Sequence, residues 1–126
     1  YLGEQERDLV SRIIGLPPDQ LTSKLELKFS RITLTDNNFN ERLTIDTNLS
    51  AKNGISSKIF DQLVISEIKQ KKYDTKSDFI QILRDLKIQE MRFSKYCMGI
   101  LHVNKEIKYN RFKPKLLQIN KILTQV

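Results

Sequence analysis

Cysteine is almost absent from this sequence, since Cys97 is the only one among 126 residues. A single cysteine excludes an internal disulfide and a zinc site built from cysteine ligands. The chain also lacks a signal peptide and a long apolar run, so we expect no membrane segment and a cytoplasmic location. The lone histidine, His102, lies beside apolar residues and is expected to pack against them rather than to bind a metal.

Negative charge is in deficit as well. The sequence has 22 Lys and Arg residues against 15 Asp and Glu residues, which leaves a formal net charge of +7. A basic balance favours polyphosphate, nucleotide, nucleic-acid or anionic-lipid partners without choosing among them. An ordinary soluble protein with a basic surface would have the same balance. A length of 126 residues fits one domain at most.

Apolar residues at helical spacing predict several helices. Glu4–Leu16 is expected to be an amphipathic helix that covers another part of the fold. A second helix is capped at Asp74-Thr75, and Ser94 can cap a short third helix with Lys95 in its first turn. The second helix is predicted to carry a core stripe of Phe79, Ile82, Leu83 and Leu86. A terminal helix from Pro114 is predicted to turn four side chains inward, namely Leu116, Ile119, Leu123 and Val126.

Three segments show the alternation that is typical of half-buried strands: Leu25–Leu34, Arg42–Leu49 and Leu63–Lys69. Turn-forming residues between the first two predict an antiparallel hairpin. The segment from Ser50 to Gln62, with a turn at Asn53-Gly54, is expected to be a long loop. Three strands are too few to close a barrel, which typically takes about eight. We therefore expect a fragment whose missing strands lie N-terminal to it.

Charged side chains interrupt these strands in a regular way. Glu67 and Lys69 share one face of their strand with Leu63 and Ile65, because successive side chains of a strand point to opposite faces. In the first strand the alternation groups Leu27, Phe29, Arg31 and Thr33. In the second strand it separates Arg42, Thr44, Asp46 and Asn48 from Leu43, Ile45, Thr47 and Leu49. If the charged faces align, they form one polar surface from Arg31, Arg42, Asp46, Glu67 and Lys69.

Such a surface suits a polyanion together with a metal ion. Phosphoryl transfer depends on cations placed around the phosphates and on a divalent metal that bridges their oxygens. Glu67 is the candidate metal ligand, since Mg²⁺ is commonly bound through few carboxylates plus substrate oxygens. Lys95 at a helix start is electrostatically unfavourable unless an anion shares the site. The ordinary alternative is that these charges form surface ion pairs on the wet face of an antiparallel sheet.

Four short motifs follow one another between about Leu25 and Gly99: Phe29-Ser30-Arg31, Glu41–Leu49, Val64–Lys69 and Phe93-Ser94-Lys95-Tyr96. Together they resemble the C-terminal half of the VTC domain, the polyphosphate polymerase module of vacuolar transporter chaperone proteins and their bacterial relatives. That family belongs with the triphosphate tunnel metalloenzymes, whose antiparallel strands close into a tunnel. Basic side chains and metal-binding carboxylates point into that tunnel.

The resemblance implies an α+β fold that is part of an antiparallel β-tunnel with flanking helices. Residues 1–126 would be the C-terminal portion of one tunnel domain, with the N-terminal tunnel strands missing from this chain. The resemblance implies that Arg31 and Arg42 hold phosphates and that Glu67 binds Mn²⁺ or Mg²⁺. Lys69 and Lys95 would contact the phosphate chain and complete a catalytic set of four cations. The implied partners are ATP, polyphosphate, and the N-terminal half of the same protein or a second chain.

The implied activity is that of a polyphosphate polymerase-like phosphotransferase, which moves the terminal phosphate of ATP onto a growing polyphosphate. Hydrolysis of triphosphate or polyphosphate in the same tunnel stays open, because a cationic site serves both reactions. The Glu-x-Glu-x-Lys signature of the related cyclase and thiamine-triphosphatase branch is absent. A non-catalytic polyanion or nucleic-acid binding module is the alternative of another class. We expect no nucleic-acid partner, because the tyrosines are scattered rather than aligned for base stacking.

Overall fold

Residues 2–124 are described by a computed structural model, in which an antiparallel sheet and flanking helices form an α+β fold. The strands are β1 (Glu26–Thr35), β2 (Glu41–Lys52), β3 (Ser57–Phe60) and β4 (Ile65–Gln70). The helices are α1 (Glu4–Ile14), α2 (Asp78–Asp85), α3 (Lys95–Val103) and α4 (Lys113–Thr124). Short 3₁₀ turns lie at Pro18–Gln20 and Asn110–Phe112.

Strand β2 is the central strand of the sheet. On one side it pairs with β1, as the hairpin prediction required. On its other side it pairs with β4 through residues 41–46 and with β3 through residues 49–52. Thr47 and Asn48 lie between those two stretches and have no partner in either strand. The predicted antiparallel sheet with flanking helices is thus confirmed. In the described residues the sheet is open, with the outer edges of β1 and β4 unpaired, and no closed tunnel is shown.

A β-bulge interrupts the pairing of β1 with β2. Lys28 pairs with Ser50 but Ser30 pairs with Thr47, so Phe29 faces two residues of β2. One of those two, Asn48, has a φ of 53°, a left-handed conformation that asparagine tolerates better than most residues. The extra residue shifts the alternation by one position. The prediction that Leu49 lies on the face opposite Asp46 was therefore wrong.

The core lies on the face of the sheet that α3 covers. It consists of seven buried side chains: Leu49, Ala51, Phe60, Leu63, Met98, Val103 and Ile119. Gly99 lets α3 approach the sheet closely, because a Cβ built there would lie 3.1 Å from the Cβ of Ala51 and 2.8 Å from a methyl group of Leu27. His102 packs its ring edge-on against Phe60, with centroids 5.0 Å apart, as expected for a packed histidine.

Two helices bury less than their sequences predict. Helix α1 ends at Ile14, where Gly15 adopts a left-handed φ of 70°, and its apolar residues Leu9 and Ile13 are exposed. In the described residues, α1 therefore does not bury the stripe that was expected to cover another part of the fold. In α2, Ser77 rather than Asp74-Thr75 is the N-cap. The core assignment of its stripe was wrong, since Ile82 and Leu86 are exposed and no residue of α2 is buried.

The segment from Ser50 to Gln62 contains a strand that the sequence analysis missed. Strand β2 continues to Lys52, and a turn at Asn53-Gly54 returns the chain into β3. The Asn53 side-chain oxygen accepts hydrogen bonds from the backbone of Ile55 and Ser56, and Gly54 has a φ of 86°. Asn-Gly between two strand-forming runs is a strong hairpin signal, so this error was avoidable.

The C-terminal helix follows its prediction in the described residues. Helix α4 begins at Lys113, one residue before Pro114, and its side chains Leu116, Ile119 and Leu123 pack on the core. Val126, which was also predicted to face inward, lies outside the described residues. Over residues 2–124, the structure contains no helix whose length and apolar character would allow it to cross a membrane.

Candidate functional site

The strand register aligns the charged side chains in three adjacent rows on one face of the sheet. Arg42 pairs with Lys69 in the first row, Thr44 with Glu67 in the second, and Arg31 with Asp46 in the third. Paired residues of neighbouring strands point to the same face. The common polar face that alternation predicted is therefore confirmed as a surface. We call it the polar face, formed by Arg31, Arg42, Thr44, Asp46, Glu67 and Lys69.

Asp46 is the most deeply buried charge of the polar face, with only 1% of its surface exposed. Arg31 binds it through two hydrogen bonds, from Nε to Oδ1 at 2.6 Å and from Nη2 to Oδ2 at 2.9 Å. The Lys95 ammonium lies 2.6 Å from Oδ2 on the side of α3. Both carboxylate oxygens thus have cationic partners. A two-pronged arginine contact of this kind fixes orientation as well as charge.

These contacts set the ionisation of Asp46. The hydrogen bonds from Arg31 are the largest cause that lowers the pKa of the carboxyl, the Lys95 contact lowers it further, and burial opposes both. The net effect lowers the pKa of Asp46 from 3.8 to about 2. The carboxylate in turn raises the pKa of the Arg31 guanidinium. Asp46 is consequently ionised at neutral pH.

Lys95 occupies the first turn of α3, after the N-cap residue Ser94, whose hydroxyl accepts a hydrogen bond from the backbone of Cys97. This confirms the predicted cap. The anion that the position requires is supplied by Asp46 of the neighbouring strand. Only 17% of the Lys95 side chain is exposed. In this structure Lys95 therefore links the start of α3 to the sheet through its ion pair with Asp46 of β2.

The aromatic ring of Phe29 contacts both cations that bind Asp46, namely Arg31 and Lys95. The Arg31 guanidinium carbon lies 5.1 Å from the centroid of its ring, and the Lys95 ammonium lies 5.4 Å from it. Cations at such distances are attracted by the electron-rich face of an aromatic ring. The bulge residue Asn48 lies opposite Phe29 in the register. Phe29 and Asp46 thus contact the same two cations, Arg31 and Lys95.

Arg42 and Lys69 lie directly opposite each other on β2 and β4. Lys69 has a partner in Glu67, at 3.2 Å between Nζ and Oε1. Across residues 2–124, no carboxylate lies within ion-pair distance of Arg42. Like charges directly across a strand pair destabilise a sheet. This part of the polar face therefore holds a positive charge that the neighbouring side chains do not neutralise.

Glu67 is the metal-ligand candidate, and its surroundings fit a hard cation only in part. Its side chain is 45% exposed, and its cross-strand neighbour Thr44 has a buried hydroxyl oxygen that no group of the described residues bonds. A water molecule, a metal-bound water or a phosphate oxygen could satisfy that hydroxyl. Residues 2–124 contain no cluster of three or more His, Cys, Asp or Glu side chains placed to hold a metal. Any ion here would need substrate oxygens as further ligands.

A cavity of about 680 Å³ lies away from the polar face, beside the turn between β1 and β2. Its carboxylate Glu41 already accepts hydrogen bonds from Gln70 and Ser77. Glu41 and Gln70 neighbour Arg42 and Lys69 in sequence and so point to the opposite face of the sheet. The cavity is not part of the arrangement around Asp46.

Sequence reasoning located the polar face but missed the roles of Asp46, which belongs to that face, and of Phe29, which lies beside it. It placed Asp46 on the surface without recognising that Arg31 and Lys95 converge on it. It noted that Arg31 lies beside an aromatic residue, yet gave Phe29 no role. A signal for Asp46 existed, because a lysine at a helix start needs an anion and Asp46 was the unassigned carboxylate of that face.

Comparison with known proteins places the chain in a family. The sequence model of the VTC domain matches residues 5–104, which covers all four strands, helices α2 and α3, and all of α1 except its first residue. Neither the curated proteins nor the solved structures gave a match to this chain. The match includes every residue of the polar face, together with Phe29 and Lys95. The chain therefore belongs to the VTC domain family, whose function is related to polyphosphate.

Proposed function

We propose that this protein acts in metal-dependent polyphosphate synthesis, as a phosphotransferase that moves the terminal phosphate of ATP onto a polyphosphate chain. The observation that carries the proposal is the pairing of Arg42 with Lys69 across β2 and β4. Two cations held opposite each other at a cost to stability are accounted for by an anionic ligand that binds between them. Membership of the VTC domain family supports a phosphate chain as that ligand.

The polar face supplies charge and position for such a reaction. With Lys95 it holds four cations and two carboxylates, so it keeps a net charge of +2. Arg31, Arg42, Lys69 and Lys95 would hold the phosphates of ATP and of the acceptor chain. Phosphoryl transfer depends mostly on this kind of positioning and charge stabilisation. Guanidinium groups suit the task because they bind phosphate oxygens through two parallel hydrogen bonds.

In the proposed reaction, an oxygen of the acceptor's terminal phosphate forms a bond to the γ-phosphorus of ATP. The bond from that phosphorus to the β–γ bridging oxygen breaks, ADP leaves, and the acceptor is one phosphate longer. Glu67 would hold Mn²⁺ or Mg²⁺ together with substrate oxygens, and the Thr44 hydroxyl could bond one of its waters. When bound, the metal would neutralise charge on the phosphate oxygens. Hydrolysis would differ only in using water as the acceptor.

We further propose that the polar face is one wall of an enclosed tunnel. The outer edges of β1 and β4 are unpaired in the described residues and expose backbone groups that further strands could bond. Those strands would come from the same protein or from a second chain. Enclosure would exclude water and strengthen each contact between a cation and a phosphate.

Replacement of Glu67 tests this function. We expect purified protein to convert ATP to polyphosphate with Mn²⁺, and E67Q to lose this turnover while it keeps the same melting temperature. Glutamine keeps the shape of the side chain and removes the charge that would hold the metal. The matched control is E90Q, which changes an exposed glutamate outside the polar face and should keep full activity.

Three other outcomes of this experiment would contradict the proposed polymerase or its metal ligand. Unchanged turnover in E67Q at saturating metal, with unchanged melting, would assign Glu67 to its ion pair with Lys69 alone. Release of orthophosphate without longer chains would point to the hydrolase. Binding of polyphosphate without any product would point to the non-catalytic module.

A further inference from the structure

We propose that Asp46 is a positioning residue that holds Arg31 and Lys95 in one fixed arrangement for a phosphate chain, with Phe29 as its aromatic support. The inference rests on the proposed phosphate-binding function and adds a residue that itself contacts no substrate. Asp46 is the point at which the sheet and α3 are joined through charge, since Arg31 comes from β1 and Lys95 from α3. Neither cation has another carboxylate partner in the described residues.

Asp46 is not available as a ligand for a metal or a substrate. Its oxygens make three contacts of 2.6 to 2.9 Å to cations, and only 1% of the residue is exposed. A metal ion would have to displace Arg31 or Lys95 to reach it. The carboxylate therefore acts on the cations rather than on the substrate or a metal. This separates it from Glu67, whose side chain is 45% exposed.

Asp46 also limits the conformational freedom of Arg31 and Lys95. Long side chains such as Arg and Lys lose considerable rotamer entropy when a ligand orders them. Arg31 is held in advance by the two-pronged bond to Asp46, and both cations also lie over the Phe29 ring. A phosphate chain would then bind to ordered cations and lose less entropy on binding. Arg31 uses Nε and Nη2 on Asp46, which leaves Nη1 free to bond a phosphate oxygen.

Ordered cations and net charge alone predict opposite changes in phosphate affinity when Asp46 is replaced by asparagine. Asp46→Asn keeps the size of the side chain and makes the site more positive by one unit. A site that attracts phosphate only by charge would bind it more tightly after this change. A site that depends on ordered cations would bind a phosphate chain more weakly, because Arg31 and Lys95 lose their common anchor. The direction of the change in affinity decides between the two.

The experiment measures dissociation constants for tripolyphosphate and for orthophosphate, with the wild type, D46N and the control D61N. Asp61 is exposed, so D61N makes the same change of charge outside the polar face. We expect D46N to bind tripolyphosphate about tenfold more weakly, the size of one lost charge-assisted contact. Orthophosphate, which needs only one cation, should bind D46N as well as before. The selectivity for the chain should therefore fall in D46N and stay constant in D61N.

Equal or tighter binding of tripolyphosphate by folded D46N would overturn the inference. If D46N does not fold, F29L takes its place, because Phe29 is 39% exposed and its loss leaves Asp46 paired. F29L should also lower the selectivity for tripolyphosphate over orthophosphate, and an unchanged ratio would contradict the proposal.

A readout without ligand separates this inference from the proposed function. The side-chain Nε–H of Arg31, followed by ¹⁵N NMR, should be rigid in the wild type and mobile in D46N. If wild-type protein binds no tripolyphosphate but Arg31 shows this difference, the proposed function fails and the positioning role stands. If Arg31 is equally mobile in both proteins, Asp46 does not position it.

Discussion

Asp46 is a buried carboxylate whose contacts with Arg31 and Lys95 bear on stability. Its two cationic partners lower its pKa to about 2, from the ordinary value of 3.8 that applies to the unfolded chain. Because the folded pKa is the lower one, this group adds stability above the unfolded value. That contribution is lost as the pH falls from about 4 through about 2. The same contacts hold Arg31 and Lys95 in place, so acid would loosen the site and the fold together.

The acid dependence of stability is therefore a test of these contacts. We expect the free energy of unfolding of the wild type to fall by about 2 kcal/mol more than that of D46N between pH 5 and pH 2. Urea unfolding at several pH values measures both curves. Comparison with D46N cancels the titration of Glu26 and Asp36, whose pKa values are also lowered and which both proteins share. Parallel curves would show that Asp46 gains no stability from Arg31 and Lys95.

Arg42 should show the opposite behaviour. It faces Lys69 across the strand pair, and none of the described carboxylates is within ion-pair distance of it. We expect R42Q to leave the free energy of unfolding unchanged or to raise it by up to about 1 kcal/mol, because it relieves a like-charge pair. Binding of tripolyphosphate should fall by about 1.5–3 kcal/mol, the size of a hydrogen bond to a charged group.

The control for R42Q is R111Q, which removes an exposed arginine outside the polar face. Both variants lose the same net charge, so a general polyanion binder would respond to them equally. Single-stranded RNA serves as the comparison polymer in the same buffer. If R42Q weakened RNA and tripolyphosphate to the same small extent as R111Q, the polar face would not be a phosphate site.

At the scale of elements, the bulge in β2 lets one strand face serve two purposes. Before the bulge this face presents Arg42, Thr44 and Asp46 to the polar site, and after it Leu49 and Ala51 enter the core. Without the additional residue, Leu49 and Ala51 would point to the other side of the sheet. The left-handed Asn48 is therefore what joins the core and the site on one face.

Asn48 offers a direct test of this role. A β-branched residue is strongly disfavoured at a φ of 53°, whereas glycine adopts it freely. We expect N48V to lose about 1–2 kcal/mol of unfolding free energy and N48G to stay within about 0.5 kcal/mol of the wild type. Chemical denaturation of the two variants measures this difference. Equal stability of N48V and N48G would mean that the bulge places no demand on its backbone.

The alternation of side chains along the strands predicted their facing correctly only up to the bulge. Strict alternation predicted the facing of Arg31, Arg42 and Glu67, because these residues lie in regular pairing. It failed at Leu49, since one additional residue reverses the pattern and no periodicity reveals it. Strand β3 is a different case, because the Asn53-Gly54 turn signal was present and was assigned to a loop.

At the scale of the whole molecule, the family and the α+β class could be predicted from the sequence. Contacts between elements that are far apart in the sequence could not. The four motifs indicated the VTC domain, which the match over residues 5–104 confirms. The contact of Lys95 with Asp46 depends on how α3 packs on the sheet, where Gly99 lies close to Ala51. The exposure of Leu9 and Ile82 could not be predicted either, because an apolar stripe in a helix does not show which surface, if any, the helix packs against.

The interrupted pairing along β2 has a dynamic consequence. Strands β4 and β3 are bound to separate halves of that strand, with Thr47 and Asn48 between them. Each can detach without breaking the ladder of the other. Amide hydrogen exchange at increasing denaturant should therefore give β4 and β3 different opening free energies, and one shared value would contradict independent opening. Glu67 and Lys69 lie on β4, so we expect the strand that carries them to open at a lower free energy than the core strands beneath α3.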